Sequence, residues 1–167
     1  MGDIIKSCII THTDAKVVKT YDISGYGESY HTSIDLAAHE VYSPCRGVAI
    51  YVGLVDKMPS VTVQYSNNIS LRFMHLKSTD IVAGQVVPYD TVVGIADEYV
   101  SFEYLTTEER HPGIRVFFYT TSGSYTLYKQ DPMLVLSQNV KFDNMTPIIL
   151  TEGITDALAE DGKGGDE

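Results

Sequence analysis

Apolar and polar positions alternate with a period of two along much of the chain, in runs too short for helices. In VTVQYSNNISLRFMHL, residues 61–76, Val61, Val63 and Tyr65 alternate with polar neighbours, Asn67-Asn68 supplies a turn able to take positive φ, and Leu71, Phe73 and His75 alternate back. That pattern predicts a hairpin. RVFFYTTSGSYTLYK, residues 115–129, predicts another, turning at Ser122-Gly123. Between them, DIVAGQVVPYDTVVGIA (80–96) holds two very short apolar runs punctuated by Gly84, Pro88 and Gly94. With Val, Ile, Tyr and Thr abundant and few long helical periods, the expected fold class is all-β.

The composition changes after Asp131-Pro132. The remainder predicts a strand or two, a short helix from about Thr155, and a Gly-rich acidic tail with no means of packing by itself. The expected organisation is an N-terminal strand and lead-in over 1–28, a β domain over 29–136 and a C-terminal extension over 137–167.

At 167 residues the chain is one domain of ordinary size that buries most of its apolar surface without staples. Its cysteines, Cys8 and Cys45, have no CxxC or CxxH spacing, so they read as buried thiols, not as a zinc knuckle or a redox pair. Twenty-two acidic residues against twelve basic ones leave a formal charge of −10, which opposes a phosphate backbone; nucleic acid is not an expected partner. Nor is a membrane. No run approaches the length of a spanning helix, Ile4-Ile5 is too short for a signal core, and Lys6 stands where myristoylation requires Ser or Thr. The chain is therefore expected to be made and kept in a cytosol.

Candidate chemistry begins in YHTSIDLAAHEVYSPCRG, residues 30–47, where His31 and Asp35 stand four apart and lead into a Ser-Pro-Cys-Arg-Gly turn. His31-Thr32-Ser33-Ile34-Asp35-Leu36-Ala37-Ala38 resembles the HxGxDxAA element of the lysostaphin/LytM-type zinc endopeptidases, which cleave peptidoglycan, with Ser33 where glycine is usual. Further elements follow in order over roughly 100 residues. Ser43-Pro44-Cys45-Arg46-Gly47-Val48 is similar to AP-x-x-G-x-V, Phe73-Met74-His75-Leu76 to YxHL, Val82 to Val87 with Val93-Gly94 to VxxGQxV…IG, and Asp131-Pro132-Met133 to the closing DP-x. The resemblance implies a β-sheet core of the kind called the duplicated hybrid motif.

It also implies a zinc held by His31 and Asp35, with His75 assisting the attacking water or the transition state. The third ligand belongs to an HLHFE element, which here reads Tyr99-Val100-Ser101-Phe102-Glu103. Tyr99 thus replaces a catalytic histidine and Ser101 replaces the third zinc ligand. Only Ile95 to Glu98 separate Gly94 from Tyr99, where the family carries a longer loop beside the substrate groove.

Two ligands do not make a catalytic zinc site, and a serine hydroxyl is a poor zinc ligand at neutral pH. Glu103, on the same strand face as Ser101 if the strand is regular, is one possible substitute ligand; His39 and His111 are others. The bland reading of His31 and Asp35 is a hydrogen-bonded pair kept in the sheet, and that of His75 a half-buried strand residue. The VxxGQxV pattern also looks like the second half of biotinyl or lipoyl carrier domains, but the attachment lysine has no counterpart. P-loop, GxGxxG and GxSxG motifs are absent.

The expected function is structural: a component of a phage tail tip, baseplate or hub, carried in a virion or similar particle assembled in a host cytoplasm. Its site would be vestigial, without catalysis or cofactor, and its partners would be other structural proteins of the particle and peptidoglycan. The alternatives are an active virion-associated zinc peptidoglycan endopeptidase with an altered ligand set, and a non-catalytic LytM-type regulator that binds a partner through the groove.

Overall fold

A computed structural model describes residues 4–23, 31–109, 114–136 and 154–160. In chain order the elements are β1 (Ile4–Ile5), β2 (Ala15–Lys19), β3 (Ile34–Ala37), β4 (Glu40–Tyr42), β5 (Gly47–Val55), β6 (Met58–Ser66) and β7 (Ile69–Ser78), followed by β8 (Val86–Val87), β9 (Val92–Thr106), β10 (Arg115–Thr120), β11 (Gly123–Gln130), α1 (Met133–Leu136) and β12 (Asp156–Glu160). The sheet runs β1-β2-β3-β9-β7-β6-β5-β8, and every described strand pair is antiparallel.

Both predicted hairpins form. β6 and β7 pair Val61 with Phe73 and Val63 with Leu71 across the Asn67-Asn68 turn. β10 and β11 pair Phe117 with Thr126 and turn through Thr121 and Ser122, one residue before the predicted position. The all-β expectation holds, with α1 the single helix among the described residues. That helix starts at the DP-x element: the Asp131 carboxylate accepts the Met133 N–H at 3.0 Å, satisfying one donor that a first turn leaves open.

The helix expected from about Thr155 is a strand. Residues 156–160 lie along β10, with Tyr119 opposite Asp156 and Phe117 opposite Leu158. An open sheet edge offers the backbone a partner, which outweighs the helix propensity of Asp-Ala-Leu-Ala-Glu, a segment too short to hold a helix by itself. The tail after Glu160 lies outside the described residues.

β9 is the long central strand. One edge pairs with β7, while the other takes β4, then β3, then β11 in succession along its length. One face of the sheet carries the main core, including Ile34, Leu36, Val61, Val63, Leu71, Phe73, Val100 and Phe102, with Phe73 and Phe102 edge-to-face at 5.3 Å between ring centres. A smaller apolar cluster of Ile50, Leu105, Val116, Phe118 and Leu127 lies where the β10–β11–β12 layer meets the sheet. The strand periodicity thus produces two buried faces, one mainly apolar and one mixed.

Gly47 and Gly94 sit where the chain leaves no room for a side chain. A Cβ at Gly47 would lie 2.7 Å from the Gln64 carbonyl oxygen, and one at Gly94 2.9 Å from that of Ser78. Cys8 is buried, with burial raising its thiol pKa, whereas Cys45 is only partly buried. Among the described residues no helix is long and apolar enough to cross a membrane.

Candidate functional site

Strand pairing brings the singled-out residues together. β3 lies beside β9 with Asp35 opposite Ser101 and Ala37 opposite Tyr99, and β7 lies on the other side with Met74 opposite Ser101. His31 precedes β3 and is held by a two-way backbone bridge to Asp22.

The His31 ring is oriented by the backbone. Its Nδ1 lies 3.0 Å from the Thr20 carbonyl oxygen, which only accepts, so Nδ1 carries a proton. The other nitrogen, Nε2, faces Ser33 Oγ at 3.3 Å and Asp35 Oδ2 at 3.6 Å. His31 and Asp35 are therefore neighbours but not the directly hydrogen-bonded pair of the bland reading, because 3.6 Å exceeds hydrogen-bond length. Asp35 Oδ1 instead accepts a hydrogen bond from Ser101 Oγ at 2.5 Å.

His75 occupies a break in the β7–β9 register, where the partner of β7 jumps from Ser101 at Met74 to Ala96 at Leu76. Its backbone is left-handed, with φ of 64°. The imidazole is half-buried, lies 3.1 Å through Nδ1 from the Tyr99 carbonyl oxygen, and stacks on the Tyr99 ring at 3.9 Å and 11°. Partial burial, then the negative charges of Asp35, Asp97 and Glu98, raise the Tyr99 phenol above its ordinary pKa and keep it protonated. The shortened connection leaves no excursion: β9 continues from Val92 to Thr106, with a left-handed residue at Glu98.

Glu103 does share the Ser101 face, since both follow the same alternation on β9, but it is already engaged. Arg72 donates to Oε1 through Nε and Nη2 at 2.8 Å each, and Lys129 Nζ lies 3.1 Å from Oε2. All three residues are at most 4% exposed. Burial alone would raise the Glu103 carboxyl; the Arg72 and Lys129 charges overcome this and hold it below the ordinary carboxylate value. Lys129 also donates to Thr32 Oγ1 at 3.1 Å, tying the segment beside His31 to β11. His39 is exposed on the surface, and His111 lies outside the described residues.

Sequence reasoning missed Arg72 and Lys129. Arg72 alternates with Leu71 and Phe73, so it falls on what reads as a solvent face. The available signal was the acid at Glu103 between the aromatic residues Phe102 and Tyr104, which requires a cation if buried.

No family model matches the sequence, and no curated protein matches it. The likeness lies in three dimensions. The catalytic domain of lysostaphin from Staphylococcus simulans superposes with a TM-score of 0.54 at 16% identity, over 74% of this chain and 93% of that one. The fold is that of the LytM/lysostaphin-type peptidases. A zinc-containing peptidase from Vibrio cholerae matches at a TM-score of 0.53 and 16% identity over 63% of this chain, which spans only 37% of that protein's length. A SpoIIIAH and SpoIIQ complex matches at 0.54 and 15% identity, over 80% of this chain and 100% of that one.

Proteins of the LytM type imply a zinc ion, so the donors can be tested against one. A catalytic zinc takes three protein ligands and keeps one open position. Among the described residues no group of three His, Cys, Asp or Glu side chains could hold a metal ion. The serine in the third place directs its proton at Asp35, and an alcohol is a weak zinc donor at neutral pH. Among the described residues the donor set does not fit a catalytic zinc.

Proposed function

We propose that this chain is a non-catalytic structural or recognition protein built on a LytM-type peptidase fold. The observation that carries the reading is the Ser101–Asp35 hydrogen bond. The residue in the third ligand's place closes off a carboxylate oxygen instead of opening toward a metal. Tyr99 acts in the same direction, covering the His75 ring by stacking. Without a metal-activated water, His75 has no nucleophile to assist. His31, Asp35, His75, Tyr99 and Ser101 are then the outline of a site, held together by hydrogen bonds and packing.

The setting proposed is a phage tail tip, baseplate or hub, with the chain resident in the virion and partnered by other structural proteins and by peptidoglycan. This step is fold-level analogy: a wall-degrading fold without working chemistry suits a part of a machine that meets the cell wall. The charge of −10 favours protein or wall contacts over nucleic acid. A partner-binding regulator is the second reading, favoured by the likeness to a chain from a complex of two proteins, SpoIIIAH and SpoIIQ.

Metal content by mass spectrometry on the chain purified without a histidine tag, beside His31→Ala and Asp35→Ala, tests the first reading. The expected result is no bound zinc in any of the three and no chelator-sensitive cleavage of peptidoglycan. About one zinc per chain that vanishes in both variants overturns it in favour of an active endopeptidase with an altered ligand set.

A further inference from the structure

The geometry of the C-terminal strand points to a surface that the site does not use. We infer that β12 exchanges between two copies of this chain, each lending its residues 156–160 to the β10 edge of the other. This deepens the assembly reading and rests on it for its biological meaning, though not for its test.

β12 is attached by its backbone more than by its side chains. It pairs with β10 over all five of its residues, from Tyr119 opposite Asp156 to Arg115 opposite Glu160. Among its described side chains, Asp156 is tied to β5, with Tyr51 Oη donating to Asp156 Oδ1 at 3.3 Å. Ile154 and Ala157 are only partly buried against the smaller apolar cluster, and Leu158 is 52% exposed. A segment with so few buried apolar contacts belongs to the part of a fold that opens first.

The sheet face beneath the layer mixes apolar side chains with buried polar ones. Beside Ile50 and Leu105 it carries Thr62, Gln64 and Ser70, all buried and none with a hydrogen-bond partner for its side chain. Thr62 stands opposite Arg72, and Ser70 stands between Gln64 and Leu105 in the strand register, so the polar groups interleave with the apolar ones. Buried groups of this kind ordinarily find partners.

The occupant is argued from length and register. Seventeen residues, 137–153, lie between α1 and Ile154, a contour of up to about 60 Å, against roughly 10 Å between packed layers. A neighbouring β10 is within reach. A second copy of the strand matches the slot in every backbone pair because it is the same sequence. Reciprocal exchange closes the pair without creating a new interface chemistry.

The test uses the full chain carrying Phe117→Cys and Leu158→Cys, which stand opposite each other in the β10–β12 register, with Leu158→Cys alone as a control for adventitious pairing. Samples incubated over a concentration series are oxidised and separated without reductant. The expected result is a covalent dimer dependent on both cysteines, its ratio to monomer rising about tenfold per tenfold rise in free monomer, and suppressed by excess peptide of residues 154–160. Intramolecular crosslinking alone at every concentration overturns the proposal. Native mass spectrometry of mixed isotope-labelled and unlabelled wild-type chains gives a second readout: mixed dimers that the peptide abolishes support exchange, and their absence overturns it. Exchange by a chain that binds zinc and cleaves peptidoglycan would uphold this inference while removing the non-catalytic reading. A metal-free chain that never exchanges would do the reverse.

Discussion

Ser101 stands opposite Asp35 across the β3–β9 pairing and donates its hydroxyl proton to that carboxylate. Because the two strands fix this opposition, a longer donor at position 101 would be delivered beside the same carboxylate and close to His31 Nε2, which already faces Asp35. Ser101→His is therefore expected to bind zinc more tightly than the wild type does. Titration with zinc should raise the melting temperature of the variant more than that of the wild type, by an amount equivalent in the variant to about 2.7 kcal/mol at a hundredfold excess over Kd. Zinc-independent melting in the variant would show that the strands do not present a third donor to the pair.

His75 combines a left-handed backbone with a stacked ring. These contributions separate by substitution. His75→Asn keeps a residue that tolerates positive φ and loses mainly the stack, about 0.5–1.5 kcal/mol. His75→Val also forces a β-branched residue into the left-handed region, adding about 1–3 kcal/mol. Urea unfolding of the two variants beside wild type checks the order; equal losses would mean that the backbone conformation carries no strain for valine.

The legible part of this chain was the part written in local chemistry. Alternation and the Asn67-Asn68 turn disclosed the β6–β7 hairpin, and the ordered motifs located His31, Asp35, His75, Tyr99 and Ser101, which the strands bring together. What stayed hidden depends on chain segments far apart in sequence. Arg72 reads as a solvent-facing residue until β11 brings Lys129 against Glu103, and Asp-Ala-Leu-Ala-Glu reads as a helix until β10 offers it an edge. The detailed bonding of the site was hidden for the same reason: an i,i+4 spacing of His31 and Asp35 does not say that the carboxylate turns to a serine 66 residues away.

Gly47 and Gly94 belong to two of the sequence elements that resemble LytM motifs, and the sheet gives each a steric reason. At Gly47 a methyl group would lie 2.7 Å from both the Gln64 carbonyl oxygen and Val63 Cγ1, backbone and packed core that cannot swing aside. Gly47→Ala is expected to destabilise by about 1–3 kcal/mol. Gly84, where no atom lies within 4 Å of an added Cβ, is the control for crowding, although its φ of 91° imposes its own strain. The informative readout is a crystal structure or backbone chemical shifts of Gly47→Ala: displacement at Gln64 and Val63 is expected, and an unmoved β6 would contradict the steric account.

The Arg72–Glu103–Lys129 group makes stability depend on acid in a defined direction. The folded-state carboxyl of Glu103 lies below its unfolded value, so its contribution is fully present above the unfolded pKa of about 4.3 and is lost as pH falls through the folded value. Glu103→Gln removes that titration while leaving two buried cations without their counter-charge. It should therefore be much less stable than wild type at neutral pH, by about 3–5 kcal/mol, and the gap should narrow as pH falls from the unfolded carboxyl pKa toward the lower folded one. Lys129→Met is expected to cost less, because Arg72 still satisfies Oε1 and the lysine's other bond is to a neutral hydroxyl, Thr32 Oγ1. Denaturant unfolding of the three chains from pH 7 down to pH 3 measures all of this. A wild-type to Glu103→Gln gap that stays constant across the range would mean that Glu103 is not the ionised centre of the group.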